Sequence, residues 1–134
     1  MNISQAAQQS GLSAKTIRYY EEIQLIAPAA RGENGYRQYD GKALEELRFL
    51  ARARDVGFDL EESRQLLELQ RNSARQSRHA RDLVMEKSQK LQSRIEQLVA
   101  MQRELLELAS SCKGDEGPDC AILEGLASGQ ESAA

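Results

Sequence analysis

From Ala74 to Ser111 the chain contains neither glycine nor proline. Such a stretch of ~38 residues, rising 1.5 Å per residue, makes about 57 Å of helix. Val84, Leu91, Leu98 and Leu105 fall seven apart along it, and Ile95 fills the position between Leu91 and Leu98. Ser88 and Gln102 leave the other two intervening positions polar. A spacing of seven held over four positions predicts a coiled coil. A helix this long cannot pack wholly on a domain this small, and alone it would leave its apolar seam wet. It requires a partner helix, most simply the same helix of a second copy.

Before this helix the chain reads as short elements. Ser4 can cap a first helix to about Ser10, with Ile3 and Ala7 on its inner side. Gly11 ends it, and Ser13 opens a second from Ala14 to about Ile23. Two short helices across a glycine turn form a helix-turn-helix. The second carries Lys15, Thr16, Arg18, Tyr19 and Tyr20, the cations and hydroxyls that phosphate and base edges require. A plain helical hairpin with a solvated charged face would fit these residues too. Next, Gly32-Glu33-Asn34-Gly35 is a hairpin turn signal, with Tyr36-Arg37-Gln38-Tyr39 alternating like a strand behind it. Arg31 and Arg37 flank the turn. Following a helix-turn-helix, such a hairpin is either a wing reaching DNA backbone or a surface hairpin without a partner. Asp40 caps a helix over 41–55 with Leu44, Leu47, Phe49, Leu50 and Ala53 on one face. Gly57 stops it, and Asp59-Leu60-Glu61-Glu62 is a capping box opening a helix to about Gln70. Its stripe of Leu60, Ser63, Leu66, Leu67 and Leu69 is core.

After the long helix comes Cys112-Lys113-Gly114-Asp115-Glu116-Gly117-Pro118-Asp119-Cys120, with the only two cysteines. Two Gly and one Pro between them turn the chain back on itself. The loop can bring both sulfurs to one point. Three readings fit: two separate buried thiols, a disulfide or transient redox switch, or a two-coordinate site for a soft metal ion, zinc usually requiring four ligands. Beyond it, Ala121–Ala127 has the pattern of a short amphipathic helix with Asp119 at its N-cap.

Composition narrows the class. Charged residues make up 29% and aromatics 4%, which favours long exposed helices. No apolar run approaches the ~18 residues of a membrane span. The N-terminal residues lack the charged and apolar regions of a secretory signal, so a cytoplasmic protein with reduced thiols is expected. Net charge is −3, but unevenly spread: Lys+Arg against Asp+Glu is 13 to 11 through Arg81 and 5 to 10 from Asp82 onward. The placement of the arginines therefore matters more than their sum. No nucleophile is paired with a base, and no glycine loop for phosphate is present; an enzyme is not expected.

Three segments together carry a family signature: Ile17-Arg18-Tyr19-Tyr20-Glu21, Glu33-Asn34-Gly35-Tyr36-Arg37, and Arg54-Asp55-Val56-Gly57-Phe58. They resemble MerR-family transcription activators. Cys112 and Asp119-Cys120, with Gly114-Asp115, resemble the metal loop of the copper-responsive CueR branch. The resemblance runs from residue 1 to about 127. It implies a mainly α fold: a winged helix-turn-helix with a β-hairpin wing over 1–73, a dimerisation helix over 74–111 pairing as an antiparallel coiled coil, and a metal loop and short helix over 112–127; the small, polar residues 128–134 read by themselves as a disordered tail. The resemblance implies a homodimer on double-stranded promoter DNA whose bend and twist change when effector binds, so that RNA polymerase engages both promoter elements. DNA contacts would come from Lys15, Arg18, Tyr20, Arg31, Asn34, Tyr36, Arg37 and Arg54. Cys112 and Cys120 would hold one Cu(I), or Ag(I) or Au(I). Ser77 matches a selectivity position that is Cys in relatives sensing divalent ions. Two thiolates around a +1 ion leave a −1 site that needs no third ligand, and serine is a poor one; the helix end after Asp119 and Arg81 could stabilise that charge. Two departures stand out: Ala121 replaces a frequent Pro, and the tail lacks the Cys and His of some relatives. The only histidine, His79, would open the site to Zn(II) if it joined the ligands. A divalent-metal or disulfide redox sensor of the same fold is the alternative.

Overall fold

A computed structural model describes residues 1–129. Its elements run α1 (Ile3–Ser10), α2 (Ala14–Glu22), β1 (Ala30–Arg31), β2 (Arg37–Gln38), α3 (Gly41–Asp55), α4 (Leu60–Arg71), α5 (Ser77–Ser111) and α6 (Ala121–Ala127). The architecture is mainly helical, as the sequence predicts. Two compact units are present, Met1–Lys87 and a second from Ser88 onward. The first unit takes in the opening turns of α5, where Lys87 Nζ lies 3.1 Å from Glu62 Oε1 of α4.

The first unit closes around one core. α1 packs on α2 and α3, and α4 packs on α3. Ile17, Leu25, Leu47, Leu50 and Leu67 are fully buried there beside Tyr39. Burial of each aliphatic side chain contributes about 1.5–3 kcal/mol. Arg71 ties the end of α4 in place: its guanidinium donates to both Glu46 carboxylate oxygens, at 2.6 and 3.0 Å, and to the Leu25 carbonyl at 3.2 Å.

Several helix ends agree with the sequence reading. Ser13, Asp40 and Asp59 each accept the backbone N–H of the third helical residue, and Asp59 with Glu62 forms the expected capping box. Three ends differ. Asn2, not Ser4, caps α1, because Asn2 and Gln5 exchange two reciprocal bonds, whereas Ser4 has alanine three residues on. α5 begins at Ser77 and not at Ala74. Asn72 accepts the Ala74 N–H on its side chain and the Arg75 N–H on its carbonyl, which turns the chain first. Cys120, not Asp119, is the N-cap of α6, since its carbonyl accepts the first helical bond, from Glu124 N–H.

The hairpin is smaller than the alternation suggested. Only Arg37–Gln38 pairs with Ala30–Arg31, antiparallel, with Arg31 opposite Arg37. Tyr39 leaves the ladder to enter the core and exchanges backbone bonds with Met1 instead. The turn is not a two-residue Asn-Gly turn. Gly35 N–H donates to the Gly32 carbonyl, Asn34 keeps a negative φ, and only Gly35 takes the left-handed conformation at φ 78°. That is a longer turn closed by a glycine bulge, which any other residue at 35 would strain.

In the single chain none of α5's residues is buried. Val84, Leu91, Ile95, Leu98 and Leu105 are all exposed. Among the described residues no helix is long and apolar enough to cross a membrane. Ser128 caps the C-terminal end of α6; the rest of the expected disordered tail, 130–134, lies outside the described residues.

Candidate nucleic-acid interface and thiol loop

The head presents a basic cleft where the start of α1, the middle of α2 and the hairpin converge. It encloses about 580 Å³. Arg18, Arg31, Asn34, Tyr36 and Arg37 line it together. These are five of the eight residues expected to touch DNA. Arg18 and Arg31 are solvent-exposed, and the Tyr36 ring projects freely. Arg31 and Arg37 face each other across the hairpin, an unfavourable pairing of like charges. Each cation is turned to a separate acceptor: Arg31 Nη1 donates to the Gly35 carbonyl at 3.1 Å, and Arg37 reaches Glu21. Asn34 spends its side-chain oxygen inside the turn, accepting the Tyr36 N–H at 3.1 Å.

The remaining three expected contacts lie elsewhere. Lys15 is exposed in the first turn of α2, and Arg54 in the last turn of α3. At the C-terminal end of α3 the Arg54 cation complements the helix dipole whether or not DNA is bound. Tyr20 requires a correction: it is 8% exposed, and its ring belongs to the core cluster. The spacing of Ile17, Tyr20 and Glu21 puts all three on the inner face of α2. The exposed aromatic of this helix is Tyr19.

Glu21 is the group the sequence reading passed over. Its carboxylate is buried, accepts the Tyr39 hydroxyl on Oε1, and lies 3.3 Å from Arg37 Nη1 on Oε2. The Arg37 N–H does not point at Oε2, so that oxygen has a charge partner but no hydrogen-bond donor. A signal was available: a glutamate one turn beyond Ile17 on an inner face needs a cation from another element. Burial, and then the hydrogen bond and charge of Glu21, push the Tyr39 phenol up to about 12, against the opposing pull of Arg37. The cleft is lined as well by Asn2, Ile3, Ser4, Gly35 and Gln38, which sequence reasoning did not assign to it; nothing in their spacing foretells it.

The thiol loop brings Cys112 and Cys120 together. Both are free and half-buried, with Sγ atoms 3.4 Å apart. A disulfide would stand at about 2.05 Å. Two metal–sulfur bonds of roughly 2.3 Å in line would need about 4.6 Å. The donor types therefore fit a soft ion, and linear coordination needs the sulfurs to part by about 1 Å. The loop between them is exposed, with Gly114 in the left-handed region and Asp115 accepting the Gly117 N–H at 3.0 Å. Backbone N–H of Leu123, the Cys112 thiol and backbone N–H of Ile122 hold the Cys120 thiol below its ordinary range. Among the described residues no cluster of three or more His, Cys, Asp or Glu could hold a metal. His79 lies on a groove between α4 and α5 with Glu68, Asp82 and Glu86. Ser77 is the first residue of α5 and Cys112 comes directly after its last.

Comparison with known proteins sets this geometry in context. Residues 1–70 match the family described as MerR HTH family regulatory protein, and residues 44–108 match MerR, DNA binding. The chain is 46% identical over 127 residues to the HTH-type transcriptional regulator CueR of Yersinia pestis, covering 95% of this chain and 91% of that protein. It is 46% identical over 129 residues to the HTH-type transcriptional regulator HmrR of Rhizobium leguminosarum bv. viciae, covering 96% and 99%. Its fold is similar to that of the transcription regulator PbrR691 from Ralstonia metallidurans CH34 in complex with lead(II). There the TM-score is 0.82 at 31% identity, over 94% of this chain and 98% of that one.

Proposed function

The chain belongs to the MerR family of helix-turn-helix regulatory proteins, and from that premise we propose that it activates copper-detoxification genes in response to Cu(I). Its relatives are DNA-binding transcription regulators, not enzymes. The observation that carries the copper reading is the thiol pair: two free sulfurs at 3.4 Å, with no third ligand assembled beside them among the described residues. A dithiolate satisfies a monovalent ion of the copper group, Ag(I) and Au(I) included, whereas a divalent ion recruits more donors. The likeness to the copper regulator's namesakes at 46% identity supports the same reading. Ser77 is the selectivity residue of this proposal. Because it stands at the opposite end of α5 from Cys112, it acts across a second copy, in an antiparallel homodimer.

On the DNA side, Arg18, Arg31, Asn34, Tyr36 and Arg37 contact backbone and bases from the cleft, with Lys15 and Arg54 on phosphates to either side. Cys120 opens α6, so a change at the thiol pair is carried into a helix that displays Leu123 and Leu126. That helix shifts the dimer, the heads distort the promoter, and RNA polymerase engages it in the cytoplasm. Bending a site of 20–30 bp costs about 1–6 kcal/mol, within the reach of ligand binding.

Titration of the reduced protein with Cu(I), and separately with Zn(II), against chelators of known strength tests the reading. One tightly held Cu(I) per subunit, lost in Cys112→Ser, is the expected result. Preferential Zn(II) binding overturns the copper assignment and leaves the DNA-binding head intact. The close approach of the sulfurs supports a second reading, in which an oxidant removes two electrons and two protons to close a disulfide. Mass spectrometry of protein from aerated cells decides it, since a permanently reduced pair excludes this switch.

A further inference from the structure

We propose that Glu21 is a positioning residue for DNA recognition, a buried carboxylate of α2 that holds the hairpin's Arg37 in the basic cleft. The proposal rests on the cleft contacts with DNA proposed above. Nothing in the helix itself calls for a charge at this position. Glu21 is 6% exposed, on the same inner face as Ile17 and Tyr20. A buried carboxylate is costly unless other elements compensate it. Here both compensating groups come from one segment just beyond the hairpin turn: Arg37 on Oε2 and Tyr39 on Oε1. Strands of two residues supply little stability of their own. This three-residue cluster ties the hairpin to α2, beside the backbone bonds that Tyr39 exchanges with Met1.

The cluster also leaves Arg37 available. A guanidinium has five N–H donors. Nη1 lies 3.3 Å from Glu21 Oε2 as a charge partner, while the side chain remains 41% exposed and lines the cleft beside Arg18, Arg31 and Tyr36. One side of the cation is fixed from beneath, and the other is presented to an anion. Glu21 thereby sets where a phosphate meets the hairpin without touching DNA itself.

Simple electrostatics and positioning predict opposite outcomes. Removing a negative charge beneath a cationic cleft should tighten binding to any DNA. If Glu21 positions Arg37, its removal weakens the specific complex instead. The test uses the full chain and two duplexes of equal length. One is selected from a random pool for tight binding to the unaltered protein; the other is its scrambled counterpart. Fluorescence anisotropy over a salt series is measured for Glu21→Gln, Arg37→Gln and the double variant. Circular dichroism melts show which variants are folded.

Glu21→Gln should bind the selected duplex at least about fivefold more weakly, the scale expected of coupled neighbours, and the scrambled duplex no more weakly than before. Arg37→Gln should lower the salt slope by about 0.9, the share of one phosphate contact. Adding Glu21→Gln to Arg37→Gln should cost nothing further. Selected-duplex binding by Glu21→Gln that is equal or tighter overturns the proposal, as does an equal loss with and without Arg37. An Arg37→Gln protein with unchanged affinity and slope removes the phosphate contact, and with it the premise. If Glu21→Gln melts below the assay temperature, Tyr39→Phe carries the test, because it deletes only the hydroxyl on Glu21. Weaker selected-duplex binding at an unchanged slope supports the proposal, and unchanged binding overturns it.

Discussion

A phenol shut into the core beside a carboxylate releases its proton late. Tyr39 is pushed up to about 12, chiefly by burial and then by Glu21. In the unfolded chain it would ionise near 10. The native state therefore keeps its full share of stability from this group below about pH 10, and loses it as pH rises toward about 12. Tyrosinate absorbance followed through alkaline titration should show a last step near 12 that disappears in Tyr39→Phe; a Tyr39→Phe trace identical to the parent's would contradict it. At this scale the sequence was only partly legible. Arg18, Arg31 and Arg37 could be picked by type and place, Asn34 and Tyr36 only through the family resemblance, and all five meet in one cleft. Tyr20 could not be separated from Tyr19 until the inner face of α2 was fixed. The inner-face position of Glu21 calls for a cation but does not say which, because its partners come from 16 and 18 residues further along, through a fold the local pattern does not specify.

Helix ends show which local signals are self-sufficient. Ser13, Asp40 and Asp59 act through neighbours three residues away, so their caps were readable. The end of α2 was not. Its carbonyls are closed by Gln24 N–H donating to Glu21 and Leu25 N–H donating to Tyr20, with Gln24 left-handed at φ 60°. This is the arrangement in which glycine normally stands. Glutamine is tolerated because Leu25, the next residue, is buried. The left-handed conformation costs a side-chain-bearing residue about 1–2 kcal/mol, and the added freedom of an unfolded glycine costs about 0.4–1 kcal/mol. Gln24→Gly should thus stabilise the protein by about 0.5 kcal/mol or slightly more, read as a higher urea midpoint at unchanged slope. A lower midpoint would show that the glutamine side chain contributes more than its strain.

For the whole molecule, α5 is the element the single chain leaves incomplete. Its heptad leucines were legible from spacing alone, and the chain buries none of them; Leu98 remains 48% exposed. A glutamate in that seam should be harmless to an isolated helix and disruptive to a paired one. Leu98→Glu is expected to convert a dimer to monomer in sedimentation equilibrium, while the head keeps its fold. A parent chain already monomeric at micromolar concentration would remove the paired arrangement altogether. What spacing could not convey is where the head ends, because Lys87 and Glu62 join the first turns of α5 to α4 through side chains 25 residues apart.

Every member of the buried core lies between Ala6 and Leu67. Among the described residues this core cluster is complete before α5 begins, and the opening turns of α5 join the head through the Lys87–Glu62 ion pair. If the thiol loop is the sensor proposed above, it is then an input attached to a head whose buried core does not include it. A loop with a different donor set, spliced in after Ser111, would present a new chemical signal to an unchanged head.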